Sequence, residues 1–67
     1  MSKLAELRKE KYLTQKKLAE NLGINPKSIT AYENGYRNPS PQVMQKIEDY
    51  FNVPKEVIFS TAFSYSK

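Results

Sequence analysis

Residues 14–35 read TQKKLAENLGINPKSITAYENG, and they carry the clearest helix start and stop signals in the chain. This stretch predicts two short helices, one beginning after Thr14 and the other after Asn25, because threonine and asparagine are favoured helix N-caps. Gly23 ends the first helix and Asn34–Gly35 ends the second, since these residue types tolerate the positive φ of a left-handed C-terminal position. Two short helices joined by a tight turn containing glycine form a helix-turn-helix.

The flanking sequence predicts three further helices. A first helix runs from a Ser2 cap to about Lys11, with its apolar residues on one stripe. Ser40 and Pro41 form another cap-and-proline start, and a fourth amphipathic helix follows. The inward positions of that helix are Val43, Met44, Ile47, Tyr50 and Phe51. We therefore expect an all-α domain of five helices, with a generic helical bundle as the alternative on periodicity alone.

The end of the chain predicts a short fifth helix within residues 54–59. We expect this helix to bury Val57 together with either Phe59 or Ile58. The tail over residues 60–67 has no helix signal, so it is either a short strand or an unstructured end.

Composition excludes several classes of function. The chain has 67 residues, which allows one domain, here residues 1–67 with a core over about 3–59. It contains no cysteine and no histidine, which removes disulfides, thiolate metal sites and the commonest general base. We expect no enzyme activity, metal, cofactor or small-molecule ligand. No apolar run approaches the ~20 residues that span a membrane, and the N-terminus lacks the apolar core of a signal peptide, so we expect a cytoplasmic protein.

The positive charge is concentrated in the first half of the chain. Residues 1–37 carry eight Lys and Arg against four acidic residues, whereas residues 38–67 carry three of each. The net charge of +4 therefore belongs to the half that contains the helix-turn-helix. This asymmetry favours a surface that faces a polyanion. The alternative is an ordinary scatter of charge over a soluble surface.

Several linked motifs resemble one known family. LTQ..LA..LG spans residues 13–23, YENG spans 32–35, R.PS spans 37–40, and a final F.V…..F ends at residue 59. Together they closely resemble the Cro/repressor-type helix-turn-helix family of bacterial and phage regulators, over about residues 3–59. The resemblance implies a compact five-helix lambda-repressor-like domain that binds double-stranded DNA sequence-specifically. It also implies association with the nucleoid through that DNA binding, and homodimers on two-fold symmetric operators.

The resemblance also implies roles for individual residues. The residues that match base-facing positions of the family are Pro26, Lys27 and Ala31, and they are flanked by Ser28 and Thr30. Gln15 matches a glutamine that touches a phosphate and braces the third helix, and Lys16 adds electrostatic attraction. The loop residues that match contacts with the DNA backbone are Asn34, Tyr36, Arg37 and Asn38. Arg8 and Glu33 match a buried ion pair between the first and third helices.

The chemistry of these residues supports some roles better than others. Lys27 can donate to guanine O6 and N7, or it makes only a phosphate contact. Thr30 or Ala31 can meet a thymine methyl group, or they merely permit close approach. Pro26 has no N–H and cannot read a base by hydrogen bonding, which favours readout of DNA shape. Arg37 can grip two phosphate oxygens with its guanidinium.

Two further features bear on the ends of the domain. Tyr12 stands where this family often has a helix-ending glycine, so we expect the first helix to end differently. A small core cannot easily bury all the apolar residues near the C-terminus, so we expect a dimer interface there. Its candidate residues are Val57, Ile58, Phe59, Phe63 and Tyr65, and the alternative is that they pack against the protein's own fourth helix.

These observations favour a DNA-binding transcriptional regulator, a repressor of the phage Cro type that inserts its third helix, about residues 26–34, into the major groove. Because no effector domain follows, we expect it to be small and autonomous. The alternative is an antitoxin or another protein-interaction module on the same fold. The basic first half favours the regulator, whereas the aromatic residues of the C-terminal segment FSTAFSYSK leave room for the interaction module.

Overall fold

The computed structural model describes residues 2–60. The helices in this range are α1 Lys3–Glu10, α2 Gln15–Leu22, α3 Pro26–Asn34, α4 Pro41–Phe51 and α5 Lys55–Ile58. No strand occurs in residues 2–60, and the expected all-α domain of five helices is confirmed. None of these helices is long and apolar enough to cross a lipid bilayer. Phe63 and Tyr65, two of the expected interface residues, lie outside the described residues.

Four of the helices begin at a side-chain cap. The capping residues are Ser2, Thr14, Asn25 and Ser40, and each accepts a hydrogen bond from a backbone N–H in the first turn that follows. Each cap satisfies one of the N–H groups that a helix start leaves without an intrahelical partner. The sequence therefore predicts the start of α1 to α4 from local chemistry.

Four helices are followed by a residue with positive φ, and only two of these residues are glycines; the others are Tyr12 after α1 and Asn52 after α4. Gly23 and Gly35 take φ values of 72° and 78° after α2 and α3. Tyr12 takes a φ of 59° after α1, and the N–H groups of Tyr12 and Leu13 return to carbonyl groups of the last turn at 2.9 and 3.2 Å. As expected, α1 ends differently from α2 and α3, because its cap residue Lys11 is not left-handed and the positive φ falls one residue later, on Tyr12. The tyrosine adopts the left-handed conformation that usually falls to glycine.

The core lies where α1 to α4 meet. Leu4, Leu18, Ile29 and Ile47 are at most 1% exposed, and each comes from a different one of these helices. Ala19 on α2 is fully buried as well, and its small side chain lets α2 and α3 cross closely. The most extensive helix packing is between α2 and α3, so the core holds α3 at a fixed angle against α2.

The short α5 corrects the expectations for the C-terminal apolar residues. Ile58 and Phe59 are 6% and 8% exposed, whereas Val57 is 49% exposed. The expected burial of Val57 was therefore wrong. Ile58 and Phe59 belong to the core cluster of their own domain, and they offer little surface to a dimer partner. A helix of one turn points successive residues in different directions, so it buries Ile58 only by turning Val57 outward.

A carboxylate on α4 caps the start of α5. Pro54 precedes α5 and makes no side-chain cap bond. Glu48 replaces that cap, because its carboxylate accepts from the backbone N–H of Lys55 at 3.0 Å and from the Lys55 ammonium at 3.1 Å. These two hydrogen bonds, the backbone one foremost, hold the pKa of the Glu48 carboxyl below its ordinary value. The contact fastens α5 to the end of α4.

Candidate nucleic-acid interface

The third helix has a buried face and an open face. Ile29 is fully buried, and the Glu33 side chain is 6% exposed. The open and half-open positions are Pro26, Lys27, Ser28, Thr30, Ala31 and Asn34. Every residue expected to face base edges therefore lies at an accessible position of α3. The open face is mostly short side chains, which allow a helix to approach another surface closely.

A buried ion pair fixes α3 to α1. The Arg8 guanidinium donates to the Glu33 carboxylate twice, from Nε at 2.7 Å and from Nη2 at 3.2 Å. The two side chains are 11% and 6% exposed. Arg8 also donates from Nη1 to the carbonyl oxygen of Leu13 at 2.7 Å, which ties down the loop between α1 and α2. A two-bond pair between a guanidinium and a carboxylate fixes direction as well as distance, so α3 has little freedom to rotate about its axis.

Gln15 joins α2 to α3 with both ends of its amide. Its Nε2 donates to Glu33 at 2.9 Å, and its Oε1 accepts from the Thr30 hydroxyl at 2.9 Å. Gln15 therefore occupies the bracing position that the resemblance implies. Because the Thr30 hydroxyl is already engaged, the group that Thr30 keeps for an apolar contact is its methyl. The Arg8–Glu33–Gln15–Thr30 network sets the orientation of the open face of α3.

The loop after α3 returns to that helix. The Arg37 guanidinium donates from Nη2 to the Ser28 hydroxyl at 3.0 Å. Its carbon Cζ lies 5.7 Å from the centre of the Tyr32 ring. The other expected backbone-contacting residues of this segment, Asn34, Tyr36 and Asn38, are exposed. Arg37 thus connects this loop to the first turn of α3.

Two lysines add to the positive charge of Arg37 among the expected DNA-contacting residues. Lys16 lies in the first turn of α2 and Lys27 in the first turn of α3, and both are exposed. Neither forms an ion pair with another side chain in residues 2–60. Lys17, by contrast, lies 3.7 Å from Glu20. Two unneutralised ammonium groups therefore stand at the N-terminal turns of adjacent helices, where the helix dipoles are also positive.

Sequence reasoning did not find two of the contacts that shape this region. One is the Arg37–Ser28 bond, and the other is the bond at 3.4 Å from the Lys46 ammonium to the carbonyl of Leu22, at the end of α2. Each joins residues on different elements through flexible polar side chains. No local spacing signals such a contact, whereas the helix caps follow from residues two or three apart.

The fold and the braced, open third helix define a helix-turn-helix domain. A family model described as helix-turn-helix matches residues 4–58, most of the chain. The chain belongs to this family, of the Cro/C1 type, as the sequence motifs indicate.

Curated relatives include regulators from phages, bacteria and archaea. The cryptic phage CTXphi transcriptional repressor RstR of Vibrio cholerae is 32% identical over 53 residues, covering 79% of this chain and 48% of RstR. The HTH-type transcriptional regulator ImmR of Bacillus subtilis is 32% identical over 56 residues, covering 84% of this chain and 44% of ImmR. An uncharacterised HTH-type transcriptional regulator of Archaeoglobus fulgidus is 34% identical over 58 residues, covering 87% of this chain and 82% of that protein.

The extent of these matches differs between relatives. The chain spans about half the length of RstR and ImmR, and most of the length of the Archaeoglobus protein. What these relatives share with the chain is therefore the helix-turn-helix domain. No solved structure matches the chain significantly.

Proposed function

We propose that the protein is a sequence-specific DNA-binding transcriptional regulator, a repressor of the phage Cro type. The observation that carries this proposal is the open face of α3, which is held outward by the Arg8–Glu33–Gln15–Thr30 network. A helix so held, with short side chains and one free lysine, suits the width of the DNA major groove. The relatives' names as transcriptional regulators and a repressor support the same function.

The contacts divide into two kinds. Lys27 and Ala31 contact base edges, with the Thr30 methyl and Pro26 beside them. The residues that contact the sugar–phosphate backbone are Gln15, Lys16, Asn34, Tyr36 and Asn38. Phosphate contacts supply affinity and register, whereas base contacts supply sequence preference. With Lys27 as the one charged residue among the base-facing positions of α3, a substantial share of the preference comes from DNA shape.

A homodimer completes this proposal. One domain places one recognition helix, whereas a two-fold dimer places two helices about 34–36 Å apart on successive turns of one DNA face. Val57 supports an interface at α5, since it is an apolar side chain that its own domain leaves 49% exposed. Sedimentation at rising concentration is expected to approach twice the 7.8 kDa chain mass, and Val57→Glu is expected to remain monomeric. A chain that stays monomeric at high concentration and on DNA contradicts the dimer.

DNA binding is tested by gel shift. The full chain is titrated onto the promoter region of its own gene and onto a scrambled duplex of equal composition, over increasing salt. The expected result is preference for the promoter, with affinity for both duplexes falling steeply with salt as counterions are released. Equal affinity for the two duplexes rejects the proposal.

Two matched lysine variants separate the two kinds of contact. Lys27→Ala and Lys16→Ala each remove one exposed charge from the first turn of a helix. Lys27→Ala is expected to reduce the difference in affinity between the promoter and the scrambled duplex. Lys16→Ala is expected to lower the affinity for both duplexes by the same factor. It is also expected to reduce the slope of log affinity against log salt concentration by about one. If Lys16→Ala reduces the preference and Lys27→Ala lowers both affinities equally, Lys16 contacts a base and Lys27 contacts a phosphate.

A further inference from the structure

The position of Arg37 suggests more than a backbone contact from the loop. Arg37 follows α3, yet its guanidinium lies against the third residue of that helix, Ser28, at 3.0 Å. The Cζ atom of Arg37 also lies 5.7 Å from the centre of the ring of Tyr32, which is one helical turn after Ser28. The side chain therefore runs back along α3 and brings its charge to the helix's first turn.

The first turn is the part of a recognition helix that lies nearest to base edges. Among the expected base-facing positions of α3, only Lys27 carries a charge of its own. A guanidinium offers five N–H groups in a flat fork, and the Ser28 hydroxyl takes one of them. The remaining N–H groups can match guanine O6 and N7, the commonest specific contact in the major groove.

We propose that Arg37 determines base specificity by reading a guanine from outside the recognition helix, and that Ser28 is its positioning residue. This inference rests on the proposed DNA binding. Ser28 holds the guanidinium by accepting its hydrogen bond, and the Tyr32 ring supports the side chain through a cation–π contact. In this arrangement Ser28 acts through Arg37 and reads no base itself, and Arg37 does not serve as a phosphate clamp.

The test is selection of binding sites from a randomised duplex library by the full chain and its variants. The wild type is expected to select guanine at one position of each half-site. Arg37→Lys keeps the charge but loses the fork, and the expected loss of discrimination at that position is about tenfold. Ser28→Ala is expected to relax the same position, whereas Ser28→Thr keeps the hydroxyl and retains the preference. Far-UV circular dichroism confirms that each variant remains helical.

Three outcomes overturn the inference. If the wild type selects no sequence, the proposed DNA binding fails and this inference fails with it. If the wild type and all variants select the same sequence while Arg37→Ala lowers affinity uniformly and reduces the salt slope by about one, Arg37 contacts phosphate. If Ser28→Ala relaxes a different position from Arg37→Lys, Ser28 reads its own base and does not position Arg37.

Discussion

The Arg8–Glu33 pair gives the sharpest prediction about stability. Glu33→Gln keeps the size and shape of the side chain but removes its charge, so the 11%-exposed Arg8 loses its counter-charge. Breaking a buried ion pair on one side costs about 3–5 kcal/mol. At about 0.05–0.15 kcal/mol per residue, a chain of 67 residues has a total free energy of unfolding of about 3–10 kcal/mol. The variant is therefore expected to lose a third or more of its stability.

Urea unfolding followed by far-UV circular dichroism measures this change. The free energy of unfolding is expected to fall by about 3–5 kcal/mol, and Tm by at least about 12 °C. Glu20→Gln is the matched control, because Glu20 and its partner Lys17 are 54% and 59% exposed. An exposed pair of this kind contributes about 0–1 kcal/mol.

A double variant shows where the cost arises. Arg8→Met combined with Glu33→Leu removes both charges and fills the space with apolar groups. If the cost of Glu33→Gln comes from an uncompensated buried charge, the double variant is more stable than either Arg8→Met or Glu33→Leu alone. A loss below about 1 kcal/mol for Glu33→Gln, or additive losses in the double variant, would show that Arg8 and Glu33 do not act as a buried, coupled pair.

Two further predictions follow from the helix ends. Tyr12→Gly removes the cost of holding an L side chain at a φ of 59° and is expected to raise stability by about 1 kcal/mol in thermal unfolding. Tyr36→Gly, at another exposed tyrosine without positive φ, is the control, and no gain is expected from it. Glu48→Gln is expected to lower stability at neutral pH, because the lowered pKa of Glu48 means that its charged form stabilises the fold. This contribution to stability is present above the ordinary glutamate pKa of about 4.3 and is lost as the pH falls through the lower pKa of the folded protein. The free energies of unfolding of the wild type and Glu48→Gln are therefore expected to become equal in acid. A gain from Tyr36→Gly equal to that from Tyr12→Gly, or a difference at Glu48 that does not change with pH, argues against these assignments.

The sequence predicts those parts of the structure that depend on neighbouring residues. The starts of α2 and α3 follow from Thr14 and Asn25, whose caps act on residues two or three positions away. The left-handed conformation of Tyr12 after α1 does not follow from local sequence. The propensity of Tyr12 argues against positive φ, but the next residue, Leu13, packs against the core and its carbonyl accepts a hydrogen bond from Arg8, which favours this turn.

In the candidate interface, too, some features follow from local sequence and others depend on tertiary packing. The open face of α3 follows from helical periodicity, since Ile29 and Glu33 lie one turn apart on the buried side. The direction taken by Arg37 does not follow from the sequence, because a long flexible side chain on a loop has many rotamers of similar energy. Only the three-dimensional placement of Ser28 and Tyr32 selects one of them. This is why the sequence predicts which residues of α3 are accessible better than it predicts what each one touches.

Dimethyl sulfate footprinting on the selected DNA tests the central claim, that the open face of α3 enters the major groove. This reagent methylates guanine N7, which lies in the major groove. We expect protected guanines in two half-sites about one helical turn apart, with the protection weakened by Lys27→Ala at equal occupancy of the DNA. A fully bound duplex whose guanine N7 atoms all remain reactive would contradict this claim.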